Sequence, residues 1–515
     1  MTAPFGSGAV ALAAIVDRLQ AEGLLAQAPE TPADVRITGV ADDSRRVSPG
    51  DLFCAWAGTS ADAHAYLGKA AQAGAAAALV ERLVPEVAIP QVRVTDGRRA
   101  AAAAAMRVLG DPAVGLTLVG VTGTNGKSTT VWMLRHVLSA RWPTASIGTL
   151  GVRRPDGSLV PGSENLTTPG PVDLARLLRQ LTDEGAAAVA METSSHALDQ
   201  GRVAELRFDA AIFTNLTRDH LDYHGTLERY RAAKLRLLDL LQPAGTAIVN
   251  ADDAAWGGVA ERAPAALTFG RGLAGPAAGG VSAQAGPSVR ADDVRMSAGG
   301  AHFRLVTPAG AAPAHSPLVG DYNVDNALGT AAAALALGLT LSEVVERLAT
   351  LPQVPGRLEK VTDQPCPVFA DYAHTPDALT RALAALRPLT RGRLVVVFGA
   401  GGDRDRGKRP LMAAAAQAGA DRVIVTSDNP RTEDPDAIID EIVAGFGADG
   451  APWVRLTDRR QAIGRALDEA RAGDVILLAG KGHETYQIVG TEKRHLDERE
   501  VVADWARGAG KAVRA

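Results

Sequence analysis

Cysteine is nearly missing from this chain of 515 residues: there are two, Cys54 and Cys366, far apart and without metal-ligand spacing. That excludes a disulfide framework and a cysteine-based zinc site, and it fits a reducing cytosol. An excess of one charge is missing as well. The net charge is −4 with 22% charged residues, which supplies no bulk field for nucleic acid or a membrane surface, so small molecules are the expected partners. No uninterrupted apolar stretch approaches the roughly 18 residues that a membrane-spanning helix needs. Met1 to Leu12 lacks a basic region followed by an apolar core, so neither a leader nor membrane insertion is expected and a cytoplasmic location is. At about 150 residues per domain the length suggests about three domains. The alanine runs Ala100 to Ala105 and Ala331 to Ala334 read as helices, since alanine has the highest helix propensity.

What is present is a phosphate-binding signature. Leu118 to Thr122 is an apolar run that breaks at Gly123-Thr124-Asn125-Gly126 and continues as Lys127-Ser128-Thr129-Thr130. This reads as a buried strand, a loop whose backbone N–H groups face inward, and a helix start whose dipole favours anions. Lys127 supplies a mobile charge for phosphate oxygens, and Ser128 or Thr129 a hydroxyl for magnesium. The strict P-loop pattern has a glycine where this chain has Val121, which marks an unusual subclass.

The organisation follows from alternating elements. Strand-like runs at Val35 to Val40, Asp51 to Trp56 and Gln91 to Thr95 alternate with helical stretches Ala61 to Ala73 and Arg98 to Leu109, a small α/β domain over 1–113. Asp42-Asp43-Ser44-Arg45 and Thr59-Ser60-Ala61 fall in its loops, and as bare residues they read as ordinary polar loops. The second domain, 114–352, continues from the phosphate loop: helix Ser128 to Ala140, strand Ala145 to Leu150, helix Pro171 to Asp183, strand Ala187 to Glu192. That spacing implies a mostly parallel sheet with ligands beyond its carboxyl edge. Glu192-Thr193-Ser194-Ser195-His196 lies there, Glu192 being placed to anchor a metal. Phe208 to Leu216 is another strand, followed by the ionisable run Thr217 to His224. A helix is expected from Thr226 to about Leu241, and its Lys234 reads by default as solvated. Residues 270–317 read as a hairpin and loops, and Gly320 to Asn326 as the start of an Ala/Leu-rich helix, where asparagine is an ordinary cap.

A Pro/Gly-punctuated linker from Leu351 to Arg357 suits a hinge around Pro352 to Gly356. The third domain, 353–515, has strands at Val368 to Tyr372, Leu394 to Phe398, Arg422 to Thr426 and Val475 to Leu478, a doubly wound, Rossmann-like pattern. Polar clusters follow three of them: Gly401 to Arg406, Ser427 to Arg431 and Gly480 to Glu484. In a parallel sheet those loops share one edge, so their charges should converge.

Taken together, Gly123 to Thr129, Glu192 to His196, Asn215 to Asp222, Asn323 to Asn326, Gly356-Arg357 and Asp371 to His374 resemble the motifs of the Mur ligases, the ATP-dependent family that builds the peptide stem of peptidoglycan. The resemblance covers about Val35 to Trp505. It implies three domains: a UDP-binding domain, a P-loop ATPase domain and an amino-acid-binding domain. It implies an ATP-dependent amide ligase with two magnesium ions, acting through an acyl phosphate and a tetrahedral intermediate, and working as a monomer. Asp428-Asn429-Pro430-Arg431 is similar to the motif of members that add meso-diaminopimelate to UDP-MurNAc-L-Ala-D-Glu, where a guanidinium can take the second carboxylate as a bidentate pair. Arg404, Gly480 and Glu484 would complete that pocket. Lys127, Glu192, His220 and Lys234 would be catalytic, with Lys234 carried as a CO2-derived carbamate that, with Ser128, Glu192 and His220, holds metal. Asn323, Asn326, Arg357 and Asp371 would contact the adenosine of ATP. Asp42, Ser44, Thr59, Ser60 and Ala61 would hold the uridine nucleotide, and Thr167, Thr168, Ser194, Gln200 and Arg202 the muramoyl peptide. Two rivals stand beside this: a folylpolyglutamate synthetase-like ligase, which the UDP-type first domain and Asp428 to Arg431 disfavour, and a non-catalytic ATP switch, which has no use for Glu192, His220 and Lys234.

Overall fold

The computed structural model describes residues 8–29, 35–58, 61–164, 167–272 and 287–512. They form two compact units, one of Met1–Arg290, Thr307–Gly310 and Leu328–Val344, the other of Ala291–Val306, Ala311–Ala327 and Val345–Ala515. Among the described residues no helix is long and apolar enough to cross a membrane.

Besides a two-stranded ribbon of Val10–Ala11 and Arg36–Ile37, the described residues of the first unit form two larger sheets. The smaller has the strand order Leu25–Gln27, Gln91–Val94, Ala77–Val80, Asp51–Ala55, Gly39–Ala41. It is parallel except at Leu25–Gln27. Asp51–Ala55 and Ala77–Val80 are buried along their whole length, as strands covered on both faces must be. Residues 42–46 and 56–58 follow two of its strands at the carboxyl edge. Helix Gly97–Val108, capped by Asp96 accepting from the Arg99 N–H at 3.0 Å, packs against helices Leu12–Ala21 and Pro171–Asp183. Its alanines are buried between them. Arg18 adds a polar clasp, donating to Glu22 at 3.0 Å, to Glu205 at 2.6 Å and to Asp111.

The larger sheet begins, in spatial order, Thr144–Ile147, Ala188–Glu192, Thr117–Thr122, Phe208–Phe213, Leu241–Asn250, Ala265–Gly270, all parallel. Glu192 stands opposite Val121, and Phe213 opposite Thr122, so three strands end almost level and empty their loops onto one edge. The helix expected from Thr226 to Leu241 stops early. It runs Leu227–Leu235, with the Thr226 hydroxyl accepting from the Arg229 N–H at 3.2 Å as its cap. Pro243 cannot continue a helix, and β-branched Thr246, Ile248 and Val249 favour the strand that Leu241 opens instead. Ala61 to Ala73 is likewise divided, into a 3-10 turn Ala63–Tyr66 and a helix Leu67–Gln72.

In the second unit a six-stranded sheet has the order Glu359–Thr362, Val368–Asp371, Val475–Ala479, Leu394–Phe398, Arg422–Val425, Trp453–Arg455. It is parallel except at its first strand. Two apolar clusters lie on its faces, one around Phe369, Leu383, Met412 and Ile439, the other around Val395, Ile424, Ile463 and Val502. The stretch read as a hairpin and loops is more regular than that: strands Val289–Ser297, Gly300–Thr307 and Gly310–Ser316 are joined by two-residue turns. Residues 273–286 lie outside the described residues.

Candidate active site

The phosphate loop is built as its sequence requires. Thr117–Thr122 is buried, Gly123 has φ 148° and Gly126 φ 85°, and helix Lys127–Leu138 starts directly afterwards. A Cβ on Gly123 would collide with the Thr214 hydroxyl, so glycine is needed there for space as well as conformation. The loop is clamped from the neighbouring strand end: Asn215 O accepts from Thr124 N at 2.7 Å and Asn215 Oδ1 from Asn125 N at 2.9 Å. Thr214 Oγ1 donates to Asn125 O at 2.7 Å. Lys127 Nζ donates to the carbonyls of Gly123 (2.9 Å) and Thr124 (2.8 Å), holding the charge over the loop.

Lys234 is not solvated. It is 1% exposed, donates to the same Gly123 carbonyl at 2.7 Å, and lies 4.4 Å from the centre of the Tyr230 ring. Burial first, and then the Lys127 charge, hold its pKa well below the usual lysine value, against a smaller pull from Asp219. Tyr230 ties this lysine to the loop, its hydroxyl 3.3 Å from Thr124 Oγ1. His220, in the left-handed region at φ 52°, packs edge-on to Tyr230 at 6.1 Å and to His196 at 4.8 Å. Burial and the neighbouring His220 lower the His196 pKa.

Glu192 is buried, with Oε1 accepting from Thr149 N at 2.7 Å and Oε2 in a longer contact with Thr149 Oγ1 at 3.4 Å. Thr149 also meets Thr167, hydroxyl to hydroxyl, at 2.9 Å. The Thr168 hydroxyl donates to Glu192 O at 2.8 Å and lies 3.2 Å from Ser194 Oγ. Arg202 donates to Thr168 O at 2.9 Å and to Gln200 Oε1 at 2.7 Å. Glu192, Thr167, Thr168, Ser194, Gln200 and Arg202 thus form one network. Thr149, which joins two of its members, was not singled out by the sequence because it sits in a loop without a motif. Arg202 meets no carboxylate among the described residues, and burial together with Arg98 lowers its pKa. The network reaches the first sheet's edge loop. Asp42, half-buried and with its pKa raised by burial and by Asp173, faces Gly170, while Arg46 pairs with Asp173 at 2.8 Å. Ser44 is half-buried in that loop, and Ala61 O accepts from Gly58 N at 2.9 Å. Thr59 and Ser60 lie outside the described residues.

In the second unit Asp371 closes a strand and accepts from Leu358 N at 2.7 Å and Ala373 N at 2.8 Å. Its pKa is raised by burial and pulled back by Arg357, whose guanidinium lies over Tyr372 at 5.3 Å. Tyr322 feels both Asp371 and Arg357, which places the helix start at Asn323 and Asn326 beside them. Asn323 donates to Val319 O at 2.7 Å, and Asn326 to Asn323 Oδ1 at 3.1 Å.

The three charged loops converge as the topology demands. Arg431, at φ 51°, donates to Gly402 O at 2.8 Å, and both Arg431 and Arg404 flank Gly401. Asp403 accepts from the Thr432 hydroxyl at 2.8 Å, and Glu433 from Asp403 N at 2.6 Å. Fully buried Arg409 locks both loops, pairing with Glu433 at 2.8 Å and donating to Gly401 O at 3.3 Å. From the third loop Gly480 N donates to Asp371 O at 3.0 Å, and Glu484 accepts from Asn429 Nδ2 at 2.8 Å. A Cβ on Gly480, at φ 118°, would collide with Asp428. Pro430 is buried.

The sequence matches the Mur ligase middle domain over residues 121–334 and the Mur ligase glutamate ligase domain over 356–482. It is 44% identical over 472 residues, 91% of this chain and 93% of the relative, to the UDP-N-acetylmuramoyl-L-alanyl-D-glutamate--2,6-diaminopimelate ligase of Gloeobacter violaceus. It is 43% identical over 519 residues, 96% of this chain and 97% of the relative, to the ligase of the same name from Geobacter metallireducens. A solved structure of that name aligns with TM-score 0.71 at 32% identity, covering 98% of this chain and 99% of that one.

Proposed function

This chain belongs to the Mur ligase family, and on that premise we propose that it joins meso-2,6-diaminopimelate to UDP-N-acetylmuramoyl-L-alanyl-D-glutamate, converting ATP to ADP and phosphate in peptidoglycan precursor synthesis. The observation that carries the reading is the second unit's pocket. The Arg431 guanidinium and the Arg404 side-chain stem flank Gly401, and Glu484 stands against Asn429 two residues from Arg431. Such a pattern suits an amino acid whose side chain ends in both a carboxylate and an ammonium. Asp428, Asn429, Pro430 and Gly480 shape the same pocket.

In the proposed reaction the D-glutamyl side-chain carboxylate attacks the γ-phosphorus of ATP. ADP leaves and an acyl phosphate forms. The amine of diaminopimelate then adds to the acyl carbon, and the tetrahedral intermediate expels phosphate as the amide forms. Backbone N–H groups of 126–129 and the Lys127 ammonium hold the phosphates, offsetting charge on the transferring group. Asn323, Asn326, Arg357 and Asp371 take the adenosine. Arg202, a half-buried cation without a carboxylate partner among the described residues, suits an anionic group of the muramoyl peptide, with Thr167, Thr168, Ser194 and Gln200 around it. Asp42, Ser44 and the loop of Thr59, Ser60 and Ala61 take the uridine nucleotide.

The donor set fits magnesium. The Ser128 hydroxyl and Glu192 carboxylate are hard oxygen ligands, Glu192 Oε2 has one long contact, and Thr193 Oγ1 beside it is buried without a hydrogen-bond partner. Among the described residues no three His, Cys, Asp or Glu side chains form a closed metal cage, as suits an ion that takes substrate oxygens and water for its remaining ligands. When bound, magnesium neutralises phosphate charge. A second ion would fall to His220 and Lys234. Burial favours the uncharged amine of Lys234, the form that is a nucleophile for carbon dioxide, and the carbamate would turn a base into an oxygen ligand; we assign that modification to Lys234. The activity is proposed for a monomer in the cytoplasm, with the division into 1–113, 114–352 and 353–515 following the three substrates.

Phosphate release from ATP and UDP-muramoyl dipeptide tests the proposal, scored with meso-diaminopimelate, with L-lysine and with no amine. Release should require diaminopimelate. Release independent of any amine would refute ligation, and preference for L-lysine would refute the specificity. Arg431→Ala should raise the diaminopimelate KM by about ten- to a hundredfold, the cost of an unmet charge-assisted hydrogen bond, with the ATP KM near wild type. Equal damage to both constants would mean general disruption.

A further inference from the structure

Lys481 is fully buried, yet no step above uses it. It occupies the turn after strand Val475–Ala479, between Gly480 at φ 118° and Gly482 at φ 54°. A Cβ on Gly482 would meet Tyr372 within 3 Å, so the turn has no room to relax. From there Lys481 Nζ donates to Glu484 Oε2 at 3.0 Å and to Asn429 Oδ1 at 3.0 Å, and lies 4.0 Å from Asp428 Oδ1. Asn429 completes a closed set: its Nδ2 donates to the same Glu484 Oε2 at 2.8 Å, and its Oδ1 also accepts from Ile488 N at 2.9 Å.

Two donors therefore converge on one oxygen of Glu484, while its Oε1 has no hydrogen-bond partner among the described residues. A carboxylate held by one oxygen has its orientation fixed and keeps the other oxygen for a ligand. The buried ammonium also offsets two neighbouring carboxylates, Asp428 and Glu484, that would otherwise face each other in a dry site.

We propose that Lys481 is a positioning residue for amine recognition, fixing Glu484 so that its unshared oxygen meets the distal ammonium of the incoming amino acid. This rests on the diaminopimelate reading above. It divides the labour in the pocket, with Arg404 and Arg431 reading the distal carboxylate and Lys481, through Glu484, the distal ammonium.

The experiment compares diaminopimelate with 2-aminopimelate, which keeps the distal carboxylate and lacks the distal ammonium. In Lys481→Met the diaminopimelate kcat/KM should fall at least about tenfold, as for a lost hydrogen bond to a charged group, while that for 2-aminopimelate and the KM of ATP stay within about twofold. Adding Glu484→Gln to Lys481→Met should cost little more, because both act on one contact. Equal losses with both amines, or fully additive losses in the double variant, would overturn the proposal and leave Lys481 a structural cation. If the Met variant does not fold, Lys481→Gln carries the same comparison. Wild-type enzyme that ignores diaminopimelate would instead refute the functional reading itself, a result distinct from either.

Discussion

Lys234→Ala is expected to lower kcat by about a hundred- to a thousandfold, the range for removing one group that stabilises charge in a transition state. Small carboxylates such as formate or acetate should restore part of the rate, since they supply the oxygens of the assigned carbamate. Steady-state kinetics with and without the added acid measure both effects, and a kcat within about threefold of wild type would remove Lys234 from the mechanism. Stability should move the other way. Burial lowers the folded-state pKa of Lys234, so between that value and the unfolded one the unfolded chain binds more protons. Stability conferred at this position therefore rises with pH across that window and is lost as pH falls. Lys234→Met removes the slope and should keep or raise Tm while abolishing turnover, a trade-off usual at functional sites. Thermal melts of both proteins across that pH range would show it.

The second large effect lies beneath the amine pocket. Arg459 and Glu498 are each fully buried and pair at 2.8 Å, and Arg459 also donates to Ala479 O at 2.8 Å and contacts Ser427 O at 3.4 Å. Those carbonyls immediately precede Gly480 and Asp428. Glu498→Ala leaves a guanidinium buried without its counter-ion and should cost about 3–5 kcal/mol, a Tm loss on the order of 10 °C. Replacing both partners, as Arg459→Met with Glu498→Leu, should recover much of this, because the penalty is for the unpaired charge and not for the missing bond. Calorimetry decides the matter: a double variant no more stable than Glu498→Ala would mean that packing, not charge, sets the cost. In the single variant the diaminopimelate KM should rise before the protein melts, since the two loops lose a shared anchor.

The sequence reading succeeded where function is carried by backbone and topology. A strand that ends in Gly123 to Gly126 with Lys127 behind it has few ways to fold, and helix Pro171–Asp183 begins at its proline. The convergence of 401–404, 428–431 and 480–484 followed from strand order alone, because parallel strands deliver their loops to one edge. It failed where a side chain's role depends on what covers it. Lys234 looked solvated because nothing local distinguishes a lysine beside Ala232-Ala233 from a surface lysine; its burial comes from Tyr230 and a carbonyl more than a hundred residues away. Family resemblance, not local pattern, singled it out. Lys481 lay in a recognised polar cluster and Thr149 in no motif, and the partners of both, Asn429 and Thr167, belong to other loops. Arg409 and Arg459 carry no motif, and only the packed sheet shows them as buried struts.

The Gly123 carbonyl is a single acceptor shared by two lysine amino groups, Lys127 at 2.9 Å and Lys234 at 2.7 Å. A polyphosphate that draws Lys127 off this oxygen changes what Lys234 experiences, and a carboxylate built on Lys234 changes the field that Lys127 feels. If Lys234 takes up carbon dioxide as proposed, that uptake and the binding of nucleotide are coupled equilibria, and each must alter the other's affinity by the same factor. On that proposal one peptide oxygen would make the enzyme's fuel and its own chemical maturation answer to each other.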